Sequence, residues 1–529
     1  MSAAGRPSRL EWALLAFVLA VAAALRLSRL DLLEFKGDEA YATHIVLRAL
    51  HGGGWPQIGL LSSVKVMNPP LFLYLLVPMF AISTSPVFVS GCIAVIGVLT
   101  VAMCWHIGRR YYGPVAGMVS AALFAVSPWA VICSRKIWAH DLVPLMTAGT
   151  LWALHALVRD GRKKAVFWVV LLPLMITQVH FAGLAVTATV ILILAVLRPK
   201  LDWRWAASGV LVAGVLAVPY VRYQMAHDWT DFRKAAQTVG GQAYRIPEGM
   251  LVHPRLGYAM PRRDCWWQAL GMLNSGCIED ILGLSARPEL DTEKIWTPRS
   301  YFRDATEGAR SAPLLGDAIL AVQRIALLAA LVWLTVRGWR RRSDWVLVLW
   351  IVGPVAVFAA TRLWTVPSYF VVLYPAVFLV LGIAAQERWK WALPVGAVVV
   401  AANVWFVVEL YGFLGRHGGA HGGYGTVIGY KLAAAQFLRE RVDLEDLMSK
   451  QRYWQMDQWG KIERARLELP VLAAQMDGTG KAGVEAVLVV DMNRADFSRP
   501  TAEQVAALMN GRSVTAMNFG PMCLFLVSQ

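Results

Sequence analysis

The densest run of groups able to do chemistry in this 529-residue sequence is Glu34-Phe35-Lys36-Gly37-Asp38-Glu39-Ala40-Tyr41-Ala42-Thr43-His44. The adjacent carboxylates Asp38 and Glu39, with Lys36, Tyr41 and His44 beside them, make a place for proton transfer or cation binding. The same residues suit a helix start. Gly37-Asp38 opens a predicted helix over 40–50, and an Asp there accepts the first free backbone N–H groups. Both readings stand together at this point.

Other chemistry-bearing groups lie between apolar segments. Ser134-Arg135-Lys136-Ile137-Trp138-Ala139-His140-Asp141 packs two cations, an imidazole and a carboxylate into one short link. His180 closes an apolar run, and Arg362 precedes Pro367-Ser368-Tyr369 in another link. Lys, Arg and Trp in such links serve as membrane-interface anchors, whereas an acid such as Asp141 is the less expected member and the functional candidate. His180 fits helix packing as well as function.

The elements that position these residues are membrane helices. The chain is 57% hydrophobic and 16% charged, with a mean hydropathy of +0.49, which excludes a soluble domain. Spans are predicted near 10–28, 86–107, 115–134, 142–158, 165–180, 182–197, 206–223, 315–336, 345–361, 367–385 and 391–412. The first reads as a retained anchor, since no small-residue cleavage site stands out before Arg26. The net charge of +16 is concentrated in alternate links, such as Arg109-Arg110, Arg162-Lys163-Lys164 and Arg340-Arg341-Arg342. That pattern sets orientation, not nucleic-acid binding. It places the basic links and the N-terminus in the cytoplasm and the carboxylate-bearing links outside.

The stretch 70–82 is too short to cross, at roughly 20 Å as a helix, and reads as a juxtamembrane or re-entrant helix begun by Pro69-Pro70. Counting it as a span would put the Arg-rich links outside. The architecture expected is an all-α polytopic membrane domain of about eleven helices over 1–412, with a first outer loop at 29–85 and a large outer insert at 224–314. A small outer α/β domain follows over 413–529, entered through a glycine-rich, linker-like stretch containing His417 and His421.

The order of one span, an Asp-Glu loop, Asn68-Pro69-Pro70-Leu71, Arg109-Arg110-Tyr111-Tyr112-Gly113-Pro114, then Ser127-Pro128 before Arg135 and Asp141 resembles family 39/83 glycosyltransferases of the GT-C fold. These include protein O-mannosyltransferases and the lipid A aminoarabinose transferase. The resemblance covers about residues 10–200 and continues through Arg362 to Pro375. It implies transfer of a hexose or pentose from a polyprenyl-phosphate carrier, of the undecaprenyl type, to an acceptor glycan, lipid or protein on the periplasmic face of a bacterial inner membrane.

In that picture Asp38 is the general base or orients the nucleophile, Glu39 shapes its pocket, and Asp141 matches the family's second acid. Arg135, Arg362, Tyr369 and His44 belong with the substrates and the carrier phosphate. Where the aminoarabinose transferase has Glu-Lys before Pro-Pro, this chain has Met67-Asn68. The phosphate-holding lysine is then lost or moved to Lys65, which argues against an aminoarabinose donor.

No obligatory cofactor is expected, although a divalent ion held by the acids and His44 is compatible with the sequence. Cys265 and Cys277, both in the outer insert, form a disulfide candidate, while Cys92, Cys104, Cys133 and Cys523 read as buried small hydrophobes. The alternative function is a proton-coupled secondary transporter. That class places its charges near mid-span and often shows two related halves, and neither feature is visible here.

Overall fold

The structure is a computed structural model and describes residues 6–62, 66–233, 250–252, 259–261, 312–360, 367–420, 424–457, 460–464, 466–478, 484–493 and 499–528. Each of the eleven predicted spans is helical: α1 (Arg9–Leu27), α4 (Pro86–Tyr111), α5 (Pro114–Val126) with α6 (Pro128–Ile132), α7 (Ala139–Val158), α8 (Ala165–Val179), α9 (Gly183–Leu197), α10 (Trp203–Ala226), α11 (Ala312–Arg340), α12 (Trp345–Ala360), α13 (Ala376–Glu387) and α14 (Trp389–His417). Among the described residues, seven helices are long and apolar enough to cross a membrane, and five apolar helices are shorter. The protein is a multi-pass membrane protein. Between α1 and α4 lie α2 (Gly37–Leu50) and α3 (Leu71–Ile82). At twelve residues α3 is about 18 Å long, short of the hydrocarbon core.

The links sort to two ends. At one end the basic links meet: Arg159 Nε donates to Ser343 Oγ at 3.0 Å, and its Nη1 donates to the Tyr111 carbonyl. Asp344, with no side-chain exposure, pairs with Arg337 at 2.6 Å and Arg159 at 3.6 Å. Gln386 Oε1 accepts the Val115 and Ala116 N–H groups, which the first turn of α5 leaves without helical partners. His155 points Nδ1 at the Leu151 carbonyl, so Nε2 accepts from the Tyr112 hydroxyl at 2.8 Å. The carboxylate-bearing links gather at the opposite end.

Two arginines settle the first helix at that second end. Arg26, fully buried, donates to the carbonyls of Ala125 (2.6 Å) and Phe124 (3.1 Å) at the end of α5. Arg135 donates to the carbonyls of Leu25 (3.2 Å) in the last turn of α1 and of Ser28 and Arg29 (both 2.8 Å) just beyond it. The close approach needs a glycine: a Cβ on Gly97 would lie 2.7 Å from Ser134 Cβ and 3.1 Å from Arg26 Nε.

After α14 comes the small α/β domain, starting at Gly418 and so a few residues later than the predicted boundary. Gly419–Ala420 (β3) pairs with Gly425–Thr426 (β4), so these parts of the glycine-rich stretch are fixed and not a free linker; His421 lies outside the described residues. The domain holds α15 (Ile428–Arg441), α16 (Leu444–Ser449), α17 (Glu468–Ala473) and α18 (Ala502–Leu508). Its strands β5 (Tyr453–Met456), β6 (Ile462–Arg464), β7 (Val484–Asp491), β8 (Ser513–Phe519) and β9 (Met522–Ser528) form one sheet in the order β6-β5-β7-β9-β8, with only β5 and β7 parallel. Alternation along β7 and β9 divides the sheet. Val487, Val489, Leu524 and Leu526 pack with α15 and α17, and Leu488, Val490, Cys523 and Phe525 pack with Val505 of α18.

Of the large insert, only its start, its end and the antiparallel pair β1 (Met250–Val252) and β2 (Ala259–Pro261) are described; Cys265 and Cys277 lie outside the described residues. Cys92, Cys104, Cys133 and Cys523 are free thiols, all but the half-buried Cys92 fully buried.

Because Asp344 answers two cations that are themselves largely buried, Asp344→Ala should destabilise the membrane domain by roughly 3–5 kcal/mol. Thermal unfolding in detergent checks this, and an unchanged midpoint would contradict it.

Candidate active site

Helix α2 is where the sequence group takes shape. Its N-cap is Lys36 with extended backbone, and Glu39, three residues on, accepts the Lys36 N–H through Oε2 at 3.0 Å. The capping carboxylate is therefore Glu39, not Asp38 as the helix-start reading expected. Asp38 lies exposed in the first turn, and among the described residues no hydrogen bond ties its carboxylate. Asp38, Tyr41, His44 and Arg48 follow helical spacing and are all exposed, so they share the open face of α2. Ala42, Thr43, Val46 and Leu47 are buried on the opposite face.

Beneath the first turn sits a buried ion cluster. Glu34, 8% exposed, pairs with Lys36 and, at 3.1 Å, with Lys136 from the link between α6 and α7. Burial raises the Glu34 pKa, but Lys136 and then Lys36 outweigh it, and the net result is a carboxyl held down at about 2. Burial opposes the charge on Lys136, yet Glu34, Glu39 and Asp141 together hold its ammonium above the ordinary lysine range. Glu39 goes the other way. Burial first, then the charge on Glu34, with a smaller push from Asp38, raises it to about 7 against the pull of Lys136 and Lys36. Two carboxyls a few residues apart are thereby driven to opposite states near neutrality. His44 is held below its ordinary range by partial burial and by Arg48.

A line of rings continues from the cluster. Lys136 Nζ lies 4.0 Å from the Trp138 ring, Trp138 is 4.1 Å from His140, His140 is 4.2 Å from His180, and His180 is 5.2 Å from Tyr369. Tyr369 stands on a 3-10 turn (Pro367–Leu373) held by Trp350 Nε1 donating to the Val372 carbonyl and by Thr147 donating to that of Tyr374. His180 Nδ1 accepts the Ala182 N–H, so its other nitrogen carries the proton in the neutral ring. Asp141, 2% exposed in the first turn of α7, receives no hydrogen bond of ordinary geometry at either oxygen, and neither nitrogen of His140 has one. Asn68 joins the first loop to this line: its Oδ1 accepts the Phe181 N–H and its Nδ2 donates to the Leu60 carbonyl.

The structure thus brings Asp38, Glu39, Asp141, His44 and Tyr369 to one end of the molecule. Arg135 is there too, but its guanidinium is committed to three carbonyls at and just beyond the end of α1 and stacked 4.3 Å from the Tyr411 ring, at 4% exposure. That leaves it no face for a phosphate. Lys65 and Arg362 lie outside the described residues. Among the described residues no group of three or more His, Cys, Asp or Glu is arranged to hold a metal ion. The sequence reading missed Glu34 as the partner of both lysines, and no spacing rule links position 34 to 136. It also left His140 and His180 apart.

Residues 67–223 match the family model for dolichyl-phosphate-mannose-protein mannosyltransferases. That stretch is where the chain is similar to this family of sugar transferases. The matched stretch contains Asn68, Lys136, Asp141 and His180, and the Asp38-Glu39 pair precedes it. No curated protein matches the chain. Among solved structures, the chain is similar to the oligosaccharyltransferase of Archaeoglobus fulgidus in the apo form, at 14% identity and a TM-score of 0.47. That likeness covers 83% of this chain and 59% of the other, so this chain spans less than two thirds of that enzyme. It is also similar to ArnT from Cupriavidus metallidurans bound to undecaprenyl phosphate, at 13% identity and a TM-score of 0.43 over 98% of both chains. As for the transporter alternative, Asp38, Glu39 and Asp141 stand at helix starts at one end of the bundle, not at mid-span.

Glu39 supplies a pH signature. Its folded-state pKa lies above the ordinary carboxyl value, so the stability tied to its proton is fully present below pH 4.5 and is lost as pH rises through about 7. Glu39→Gln keeps an acceptor for the Lys36 N–H and removes the titration. Between pH 5 and 7.5 the melting temperature of the wild type should fall relative to that of Glu39→Gln. Parallel curves would contradict the assignment.

Proposed function

We propose that this protein moves a single sugar from a polyprenyl-phosphate carrier to a hydroxyl or amine acceptor, with Asp38 as the general base. The observation that carries the reading is the division of labour among the acids. Glu34 is neutralised by two lysines and Glu39 is spent on the helix cap, while Asp141 is buried; Asp38 alone of this group is exposed and uncommitted. A base needs to reach the attacking atom. The open face of α2 with Tyr41, His44 and Arg48 is then where the acceptor approaches.

In the reaction Asp38 takes the proton as the acceptor oxygen or nitrogen bonds to the anomeric carbon, and the bond from that carbon to the phosphate oxygen breaks. Polyprenyl phosphate leaves with the electron pair, and one displacement inverts the anomeric configuration. The carrier phosphate is assigned to the Tyr369 side, with Lys65 and Arg362 as its cations. Phosphate is a competent leaving group without nucleotide chemistry, so no obligatory cofactor is invoked. The setting that suits this reading is a bacterial inner membrane, with the site and the C-terminal domain in the periplasm and the basic end in the cytoplasm.

Asp38→Asn should lower kcat by about 10²–10⁴-fold with little change in folding, since Asn is nearly isosteric and Asp38 is not the cap. The measure is transfer from radiolabelled undecaprenyl-phosphate sugars in detergent, with and without EDTA. Near-normal turnover in the variant removes Asp38 as base, and loss of wild-type turnover in EDTA removes the metal-free reading.

Orientation has its own test, in a background lacking Cys265 and Cys277. Cysteine at exposed Thr84, at the site end, should react with a membrane-impermeant thiol reagent in cells with a permeabilised outer membrane. Cysteine at exposed Lys163, at the basic end, should react only after lysis. The opposite labelling inverts the assignment.

A further inference from the structure

We propose that the C-terminal domain is part of the transfer machinery, with Lys431 as a positioning residue that acts through the Phe35–Lys36 peptide group to hold Glu39 and the turn presenting Asp38. This rests on the reading of Asp38 and Glu39 as the transfer site. Lys431 on α15 has no solvent exposure. Its Nζ donates to the Phe35 carbonyl and to Glu468 Oε2 on α17, at 2.5 Å each. The N–H of the same peptide unit, that of Lys36, donates to Glu39 Oε2 at 3.0 Å. One amide plane therefore has an ammonium on its oxygen and a carboxyl on its hydrogen. A cation on the carbonyl polarises the amide and strengthens its N–H as a donor.

The surroundings fix that plane. Leu33, Phe35 and Ala40 share a core with Ile428, Ala435, Leu438, Leu469 and Leu472 of the C-terminal domain. The Ile428 N–H donates to the Leu33 carbonyl at 2.8 Å, and the Tyr424 hydroxyl donates to that of Leu32 at 2.5 Å. Gly429 lies so close to the loop that a Cβ there would sit 3.1 Å from the Asp31 carbonyl oxygen. A buried ion pair gives little net stability compared with apolar residues of like size. Lys431 and Glu468 therefore point to geometry as their contribution, and the geometry they set is that of the catalytic turn.

The groups that face Glu39 come from several elements. Glu34 and Lys36 approach from the loop before it, Asp38 from its own helix, Lys136 and Asp141 from the α6–α7 link and α7, and Tyr424 from the strand turn before α15. The Arg466 stem lies against Gly37, 3.8 Å from where a Cβ would be. Loss of the Lys431 cation weakens the donor on the Glu39 carboxylate and so favours its protonated form.

The test uses the full-length protein in detergent with Lys431→Met/Glu468→Met, which removes both charges at similar volume. With a panel of undecaprenyl-phosphate-linked hexoses and pentoses, kcat should fall about tenfold or more while donor KM stays within about twofold. The melting temperature should stay close to that of the wild type, and the acid limb of the pH–kcat profile should move to higher pH. Glu468→Gln, which keeps the Lys431–Phe35 contact, should retain most turnover.

A folded double variant with wild-type kcat and an unmoved limb overturns the proposal. If that variant does not fold, Lys431→Arg is set against Lys431→Gln. Turnover kept by Arg and lost by Gln at unchanged donor KM supports positioning, and equal rates overturn it. If the wild type transfers no sugar, the transfer reading fails separately. Hydrogen–deuterium exchange over residues 33–40 then decides the positioning, with faster exchange in the double variant supporting it and equal exchange overturning it.

Discussion

An ionised carboxylate cut off from water has to be answered by protein, and Glu34 is answered from two directions. Lys36 reaches it from its own loop and Lys136 from the far side of five intervening helices. Desolvating one unpaired carboxylate costs several kcal/mol, so the loop between α1 and α2 and the link between α6 and α7 are held together by that cost. The first turn of α2 rests on this join. Glu39, left beside the Glu34 charge, is pushed toward neutrality, and Asp38, one position earlier in the helix, turns outward.

The same requirement organises the neighbouring helix ends. Carbonyls at the end of a helix lack helical partners, and Arg135 takes three carbonyls at and just beyond the end of α1, while Arg26 takes two that finish α5. An arginine suits the task because its planar fork offers several donors in fixed directions. These residues sit beside the site and are cationic, yet their charge is used in holding helices. Proximity and sign alone therefore do not make a phosphate ligand, and Arg135 illustrates the difference.

Much of this was legible in the sequence, for definable reasons. Apolar runs of helix length marked eleven spans, because a bilayer tolerates little else. The basic links separated from the acidic ones, and Arg159, Arg337 and Asp344 do meet at one end. Pro69-Pro70 marked the start of α3. What local pattern could not supply was pairing at long range. The cap on α2 went to Glu39 because Lys36 took the N-cap position, one residue before the Gly37-Asp38 start that spacing suggested. Glu34 with Lys136, and His140 with His180, are neighbours only after the helices between them have packed. Lys431 shares its helix with two other cations, half-buried Arg439 and exposed Arg441, and nothing in its flanking residues distinguishes it.

The dependence of the first outer loop on distant residues also sets an order of events during synthesis. α1 emerges from the ribosome with its last carbonyls unanswered until Arg135 follows, and the Phe35 carbonyl waits for Lys431, nearly four hundred residues later. At roughly 5–20 residues per second, that interval is tens of seconds in which the membrane helices are in place and the turn bearing Asp38 is not yet fixed. The nascent chain is thus a multi-pass membrane protein well before the turn bearing Asp38 and Glu39 takes its final shape.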